Sequence, residues 1–210
     1  MFDPPASLRI TRSMLVWSVF VVIFPTAYSR AEAPEYRIDY VHSRIEFLCS
    51  HLGFTQSRGE FHNWKGKLQF SNKDWALSEV QISIDVASLD LNNEAWNRAM
   101  LGRRYFNAEQ FPKVQFRSTA VHQINETSGS IQGMLTLMGV TQPLKIDFVV
   151  NKIGLNPLTL RPTVGFSGKG RLSRSAFGMR ADQRMVGDTV ALHFEIEASR
   201  VPIRASSGKR

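Results

Sequence analysis

The chain has 210 residues, 43% of them hydrophobic and 10% aromatic, and its 26 basic and 18 acidic residues leave a net charge of +8. That length favours one domain with a real core, and the apolar content excludes general disorder. Cys49 is the single cysteine, which excludes a disulfide scaffold, and no apolar run reaches the roughly 18 residues of a membrane-spanning helix.

The first 31 residues read as an address label rather than as fold. Arg9 and Arg12 precede the apolar stretch Met14–Phe24, which only Ser18 interrupts, and Pro25 then breaks any helix. A run this short suits a signal peptide, and the small residues Ala27, Ser29 and Ala31 flank two candidate cleavage points. The pattern predicts a cleavable signal peptide over 1–31 and a periplasmic destination; an uncleaved N-terminal anchor is the other reading. Cleavage there leaves 23 basic and 17 acidic residues, a balance of +6. In an oxidising compartment a lone thiol has no internal partner, so Cys49 is expected to be buried and inert.

From Tyr36 onward the rhythm is strand-like. Val41 to Cys49, Val80 to Val86, Val114 to Phe116 and Val190 to Ile196 each alternate apolar with polar residues. Such runs predict half-buried antiparallel strands, one face in and one face wet. Turn residues at Asn125–Gly129 and Gly139–Pro143 separate successive runs, as hairpins require. About eight to ten strands with almost no helix between them predict an all-β sandwich or closed barrel over residues 34–200. The polar stretch 201–210 has nothing to bury and is expected to be a flexible tail.

One segment breaks the alternation. Asn92 to Gly102 predicts a short helix, with Asn92 or Asn93 as cap, Glu94 in the first turn and Gly102 as terminator. Trp96, Ala99 and Met100 share one face, so the helix must pack on something, either as a lid or as a plug. A second helical turn capped by Asn107 is expected before Pro112.

Familiar catalytic patterns are missing. Gly165 to Gly170 fits no phosphate-loop or dinucleotide spacing, and Lys169 spoils it as a nucleophile elbow. The five histidines show no metal-ligand spacing, so no metal is expected. Basic residues are scattered over wet strand positions, and many aromatics fall in the apolar register; nucleic acid is therefore not an expected partner. Weak attraction to an anionic membrane surface fits the charge better, with Arg103 and Arg104 after the helix as a charged rim. The oligomeric state stays open, a homodimer included. An enzymatic alternative would use His42 or His51 as base beside Asp39 or Asp90.

An ordered set of motifs runs through the body: Tyr36-Arg37-Ile38-Asp39, His42-Ser43, His51-Leu52-Gly53-Phe54, Gly59-Glu60-Phe61, Ser88-Leu89-Asp90, Tyr105-Phe106-Asn107, Phe111-Pro112, Gly133 to Pro143, and Arg174 to Met179. Together they resemble the YceI-like family of polyisoprenoid-binding, lipocalin-like periplasmic proteins, from about Tyr36 to Ala198. The resemblance implies an eight-stranded antiparallel barrel with a short helix covering one end. It also implies a carrier rather than an enzyme, requiring no cofactor and binding an isoprenoid lipid, a polyprenyl pyrophosphate or an isoprenoid quinone. Ala176 departs from the family, which usually has an acidic residue there.

On that reading the strand residues facing the ligand are Ile45, Phe47, Cys49, Val80, Ile82, Ile84, Phe116, Leu135, Leu137, Leu192 and Phe194. Trp96, Met100 and Phe106 would supply the cover, with Phe177 and Met179 on a late loop. Arg103, Arg104 or Arg174 would meet the head group. The same apolar residues would equally fill a solid core, because composition does not distinguish a lined cavity from a filled one.

Overall fold

The computed structural model describes residues 32–202, so the predicted signal peptide and the tail beyond residue 202 lie outside the described residues. Eleven strands and one α-helix follow in chain order. They are β1 (Glu35–Ile38), β2 (Arg44–His51), β3 (Thr55–Phe61), β4 (Trp64–Gln69), β5 (Glu79–Asp85), β6 (Leu89–Asp90), α1 (Glu94–Leu101), β7 (Lys113–Gln123), β8 (Ser128–Leu137), β9 (Val140–Leu155), β10 (Pro162–Ser173) and β11 (Val186–Arg200).

Eight of these strands close a ring in the order β1-β4-β5-β7-β8-β9-β10-β11, every pairing antiparallel. Closure comes where Tyr36 opposes Arg200 and Ile38 opposes Ala198. The expected eight-stranded antiparallel barrel is therefore present. The β2–β3 hairpin is an addition to it. β2 lies along the same edge of β11 as β1 does, but further toward Val186, and β3 in turn carries the two-residue β6. Among the described residues β3 makes no ladder with β4, although the two are consecutive. The wall therefore has a seam between β3 and β4, and Phe106, in the turns after α1, meets the Phe47 and Phe61 rings of the β2–β3 hairpin.

Alternation explains which side chains turn inward, except where a bulge resets it. In β7, Val114 and Phe116 are buried at even positions, and a register shift between Ser118 and Ala120 brings the odd-numbered Val121 inward. A bulge adds one residue to one strand and so reverses its facing beyond that point. Inward rings need room on the neighbouring strand, which glycine provides. A Cβ at Gly59 would stand 2.3 Å from the Phe47 ring, and one at Gly133 would stand 2.4 Å from Phe116.

The β8–β9 turn is tighter than the sequence suggests. Only Met138 and Gly139 are outside the strands, with φ of 51° and 74°. Both being left-handed gives the mirror-image turn that matches strand twist. α1 starts where the Asn93 side chain accepts the Trp96 N–H at 3.0 Å, carries Glu94 in its first turn and stops at Gly102. None of its residues is buried. The second predicted helix is a single hydrogen-bonded turn, in which the Asn107 carbonyl accepts the Phe111 N–H, and the Asn107 side chain bonds Gln110 instead of capping.

The end of the barrel away from α1 is shut by aromatic rings. Trp75, 2% exposed, stacks on Phe148 with centroids 5.3 Å apart, and Phe70 meets Tyr36, Trp75 and Phe166 edge-on. Trp75 is delivered by a short turn that Asp74 caps through the Ala76 N–H.

Candidate ligand cavity

Above the aromatic floor the barrel encloses a cavity of about 420 Å³. Strand residues Ile45, Phe47 and Cys49 of β2, Val80, Ile82 and Ile84 of β5, Phe116 of β7, Leu135 and Leu137 of β8, and Leu192 and Phe194 of β11 all stand on its wall. Trp96 and Met100 of α1, with Phe106 and Met179, stand on it at the covered end. The lining reaches the surface at Trp96 and Met185, each 48% exposed, so the cavity opens beside α1. A cavity of this size, mostly hydrocarbon-lined with few polar groups, has the character of a lipid or small-molecule site.

Phe177 is not on that wall. It ends the turn Arg174–Phe177, and Gly178, with φ of 88°, reverses the chain immediately after it. Met179 therefore faces the cavity, whereas Phe177 is buried within the core. The expectation that both residues of this loop cover the ligand holds for the position of Met179 and not for Phe177. Ala176, at the position where the family usually has an acid, is exposed and also off the wall.

The three arginines separate in the same way. Arg174 lies on the cavity wall and is 2% exposed. Its Nε, Nη1 and Nη2 donate to the carbonyls of Gly187, Met179 and Val186 at 2.9, 2.9 and 2.8 Å. It forms no ion pair among the described residues, and backbone dipoles alone satisfy much of its hydrogen-bonding capacity. Arg103 and Arg104 do not line the cavity. Arg103 points outward near Glu109, and Arg104 donates to Asp182 at 2.8 Å. They follow the helix on its exposed side, where a charged side chain keeps its hydration.

Asp182 makes a latch that sequence spacing could not reveal, since its partners are 77 and 78 residues away. The buried Tyr105 hydroxyl donates to it at 2.5 Å, alongside Arg104. The Tyr105 hydrogen bond holds the Asp182 carboxyl below the usual carboxylate range. Burial, and then the bond to Asp182, push the Tyr105 phenol up. The latch joins the turn after α1 to the loop 178–185, both of which contribute residues to the cavity wall.

Cys49 is buried and its thiol donates to the Gly187 carbonyl at 3.2 Å. Burial pushes this thiol up, away from the thiolate form that reacts. The residues of the enzymatic alternative do not meet in the cavity. Asp39 Oδ2 and His42 Nδ1 are 2.9 Å apart, but on the outer surface, and Asp90 bonds Asn97 and His62. His51 is on the wall, with its ring 6.0 Å from that of Trp96, and has no carboxylate partner among the described residues. Asp39, His42 and Glu197 also bring ligand-type atoms within 4.8 Å of one another, at that same surface.

The YceI-like domain model matches residues 36–198, nearly the whole described chain. The chain belongs to the YceI-like family. It is 30% identical to a UPF0312 protein of Yersinia pestis over 194 residues, covering 91% of this chain and 99% of that one. Among solved structures, Burkholderia cenocepacia BcnA superposes with a TM-score of 0.70 at 25% identity, over 77% of this chain and 99% of BcnA. A polyisoprenoid-binding domain from Saccharophagus degradans, implicated in plant cell wall breakdown, shares the fold with a TM-score of 0.63 at 13% identity, over 81% and 100% of the two chains. Family membership fixes the fold. It does not name the ligand.

Proposed function

We propose that this YceI-like protein is exported to the periplasm and carries an isoprenoid lipid, a polyprenyl pyrophosphate or an isoprenoid quinone, with its chain inside the barrel. The observation that carries the reading is the hydrocarbon-lined cavity, shut at one end by aromatic rings, open beside α1, with one buried arginine in its wall. The Saccharophagus degradans neighbour, whose name states polyisoprenoid binding, supports the chemical class. An interior of about 420 Å³ fits poorly with a solid barrel that works only through its outer surface.

Energetics favour a carrier over a sink. One five-carbon isoprene unit gains roughly 3–4 kcal/mol on leaving water, at ~0.8 kcal/mol per methylene-sized group. The free lipid already sits in a bilayer, so the difference between membrane and barrel is small, and uptake and release are both feasible. The surplus of basic residues adds weak attraction to anionic lipid, about 1 kcal/mol for each well-placed charge. Arg174 is the head-group contact in this reading, because three backbone carbonyls hold it still while part of its donor capacity remains to meet an oxygen.

Organic extraction of the purified protein followed by mass spectrometry tests the reading. One isoprenoid per barrel is the expected result. Protein that comes out empty, takes up no added polyprenyl lipid or quinone, and instead turns over a lipid would replace the carrier with an enzyme.

A further inference from the structure

The cavity mouth carries more exposed hydrocarbon than a water-facing rim should. The tip of the β2–β3 hairpin presents Leu52 and Phe54, which are 49% and 87% exposed. Leu52 is held in the left-handed region at φ 52°, beside Gly53 at 76°, a conformation that costs a bulky residue energy. The Leu52 N–H donates to the Met185 carbonyl at 2.7 Å, which ties the tip to the loop 178–185. Met185 and Trp96 are themselves half in the cavity and half in solvent. The exposed patch is therefore continuous with the hydrocarbon interior.

Charge says what the patch faces. Arg180 and Arg184, on the same loop as Met185, are exposed, and neither pairs with a carboxylate among the described residues. Arg103 and Arg104 nearby do have such partners. Protruding apolar side chains with unpaired arginines beside them suit the interface of an anionic bilayer, where the rings enter the acyl boundary and the guanidinium groups stay among phosphates. We infer that the barrel docks mouth-down on an anionic membrane through Leu52, Phe54, Trp96 and Met185, with Arg180 and Arg184 meeting lipid phosphates, so that the cavity opens directly into the bilayer. The docking takes its purpose from the lipid-carrier reading, though its geometry stands without it.

The molecule supplies its own control. The β9–β10 loop exposes Leu158 and Leu160 at 92% and 75%, at the aromatic-floor end, where none of its residues lines the cavity. This loop also has one exposed arginine without a carboxylate partner among the described residues, Arg161, but no opening into the cavity, so it tests whether an apolar tip with a single arginine is enough.

Co-sedimentation of the purified mature protein with phosphatidylcholine vesicles, with and without phosphatidylglycerol at roughly 3:1, decides between them. Binding is expected only to the anionic vesicles. Phe54→Ser should weaken it about tenfold, the joint change Arg180→Gln and Arg184→Gln by about as much or more, and Leu158→Ser should leave it unchanged. All these positions are exposed, so circular dichroism should show native folds throughout. Wild-type protein that ignores anionic vesicles overturns the docking, as does a Phe54→Ser protein that binds as wild type. Light scattering that shows a dimer dissociated by Phe54→Ser, with vesicle binding intact, gives the face to a second copy instead. The two readings fail separately: extraction that finds no isoprenoid in a protein that still docks sinks the carrier alone, and an isoprenoid in a protein that never docks sinks the docking alone.

Discussion

The two ends of the barrel are built from different materials. At the floor, Tyr36, Phe70, Trp75, Phe148 and Phe166 meet ring to ring, and Trp75 and Phe70 are almost wholly buried. At the mouth the cover is a two-turn helix with no buried residue, and two methionines, Met100 of that helix and Met179 of the late loop, stand on the wall. Rings with few rotamers make a rigid stop, whereas unbranched thioether side chains repack around whatever lies between them. Rigid packing is therefore concentrated at one end and adaptable packing at the other, and the proposed carrier role would place ligand exchange at the second.

The largest effect expected is at the floor. Trp75→Ala removes an indole that is 2% exposed and leaves a void, which should cost about 3–5 kcal/mol in denaturant unfolding. Bound lipid, where the protein still folds, should leave at close to the wild-type rate. A large rise in off-rate with little loss of stability would show that the floor is a second door.

Next in size is Arg174. Arg174→Met strands the carbonyls of Gly187, Met179 and Val186 without donors and should destabilise the fold by about 2–3 kcal/mol. If the arginine also meets the head group, affinity for a headed isoprenoid should fall about tenfold, as for the loss of one charge-assisted hydrogen bond, while an isoprenoid hydrocarbon binds as before. Equal losses for both ligands would reduce Arg174 to a brace for the loop.

Much of this contrast was legible in the sequence, and the exceptions share a cause. Strand alternation indicates antiparallel strands and the inward faces of β2, β5 and β11, the motif resemblance selects the barrel over a sandwich, and Asn92 or Asn93 with Gly102 bounds α1, because those signals lie in short stretches of chain. The bulge between Ser118 and Ala120 was hidden, since nothing in the composition of β7 marks where its register slips. Phe177, expected on the late loop beside Met179, lies off the wall because the turn it ends and Gly178 after it are not fixed by composition. The Arg104–Tyr105–Asp182 latch, the run of carbonyls around Arg174 and the seam between β3 and β4 depend on residues far apart in the chain. Only the closed barrel brings them together. The rim position of Arg103 and Arg104 was inferred from the helix alone, which fixes where a side chain starts but not which counter-ion it reaches.

The latch offers a pH test of the door. Its carboxyl is held below the ordinary value of 3.8, so Asp182 contributes to the closed mouth above that value and stops as pH falls through its lowered one. Tyr105→Phe removes the bond that holds Asp182 down, so its titration should move up toward 3.8. Lipid release followed against pH should be faster in the variant at neutrality, where the bond is lost, with a smaller acid limb at higher pH, and the two proteins should converge once Asp182 is protonated in both. Coincident limbs would mean that the latch does not control exit.

Trp96→Ala should have the smallest effect on folding and is the most direct probe of the door. Trp96 is 48% exposed, rests against His51 and leaves the helix cap intact when truncated, because Asn93 bonds its backbone N–H and not its ring. About half of the side chain's transfer energy is therefore at stake in folding, on the order of 1 kcal/mol. The ring nonetheless stands on the cavity wall at the opening, so its loss should widen the exit and raise the lipid off-rate severalfold. A lid and a plug make opposite predictions here. A lid loses its hold on the ligand while the barrel stays folded, and a plug loses the fold while any remaining folded barrel keeps its ligand. Chevron kinetics and a lipid-transfer assay on the same variant measure both quantities, and an off-rate change no larger than the change in unfolding rate would make α1 part of the core.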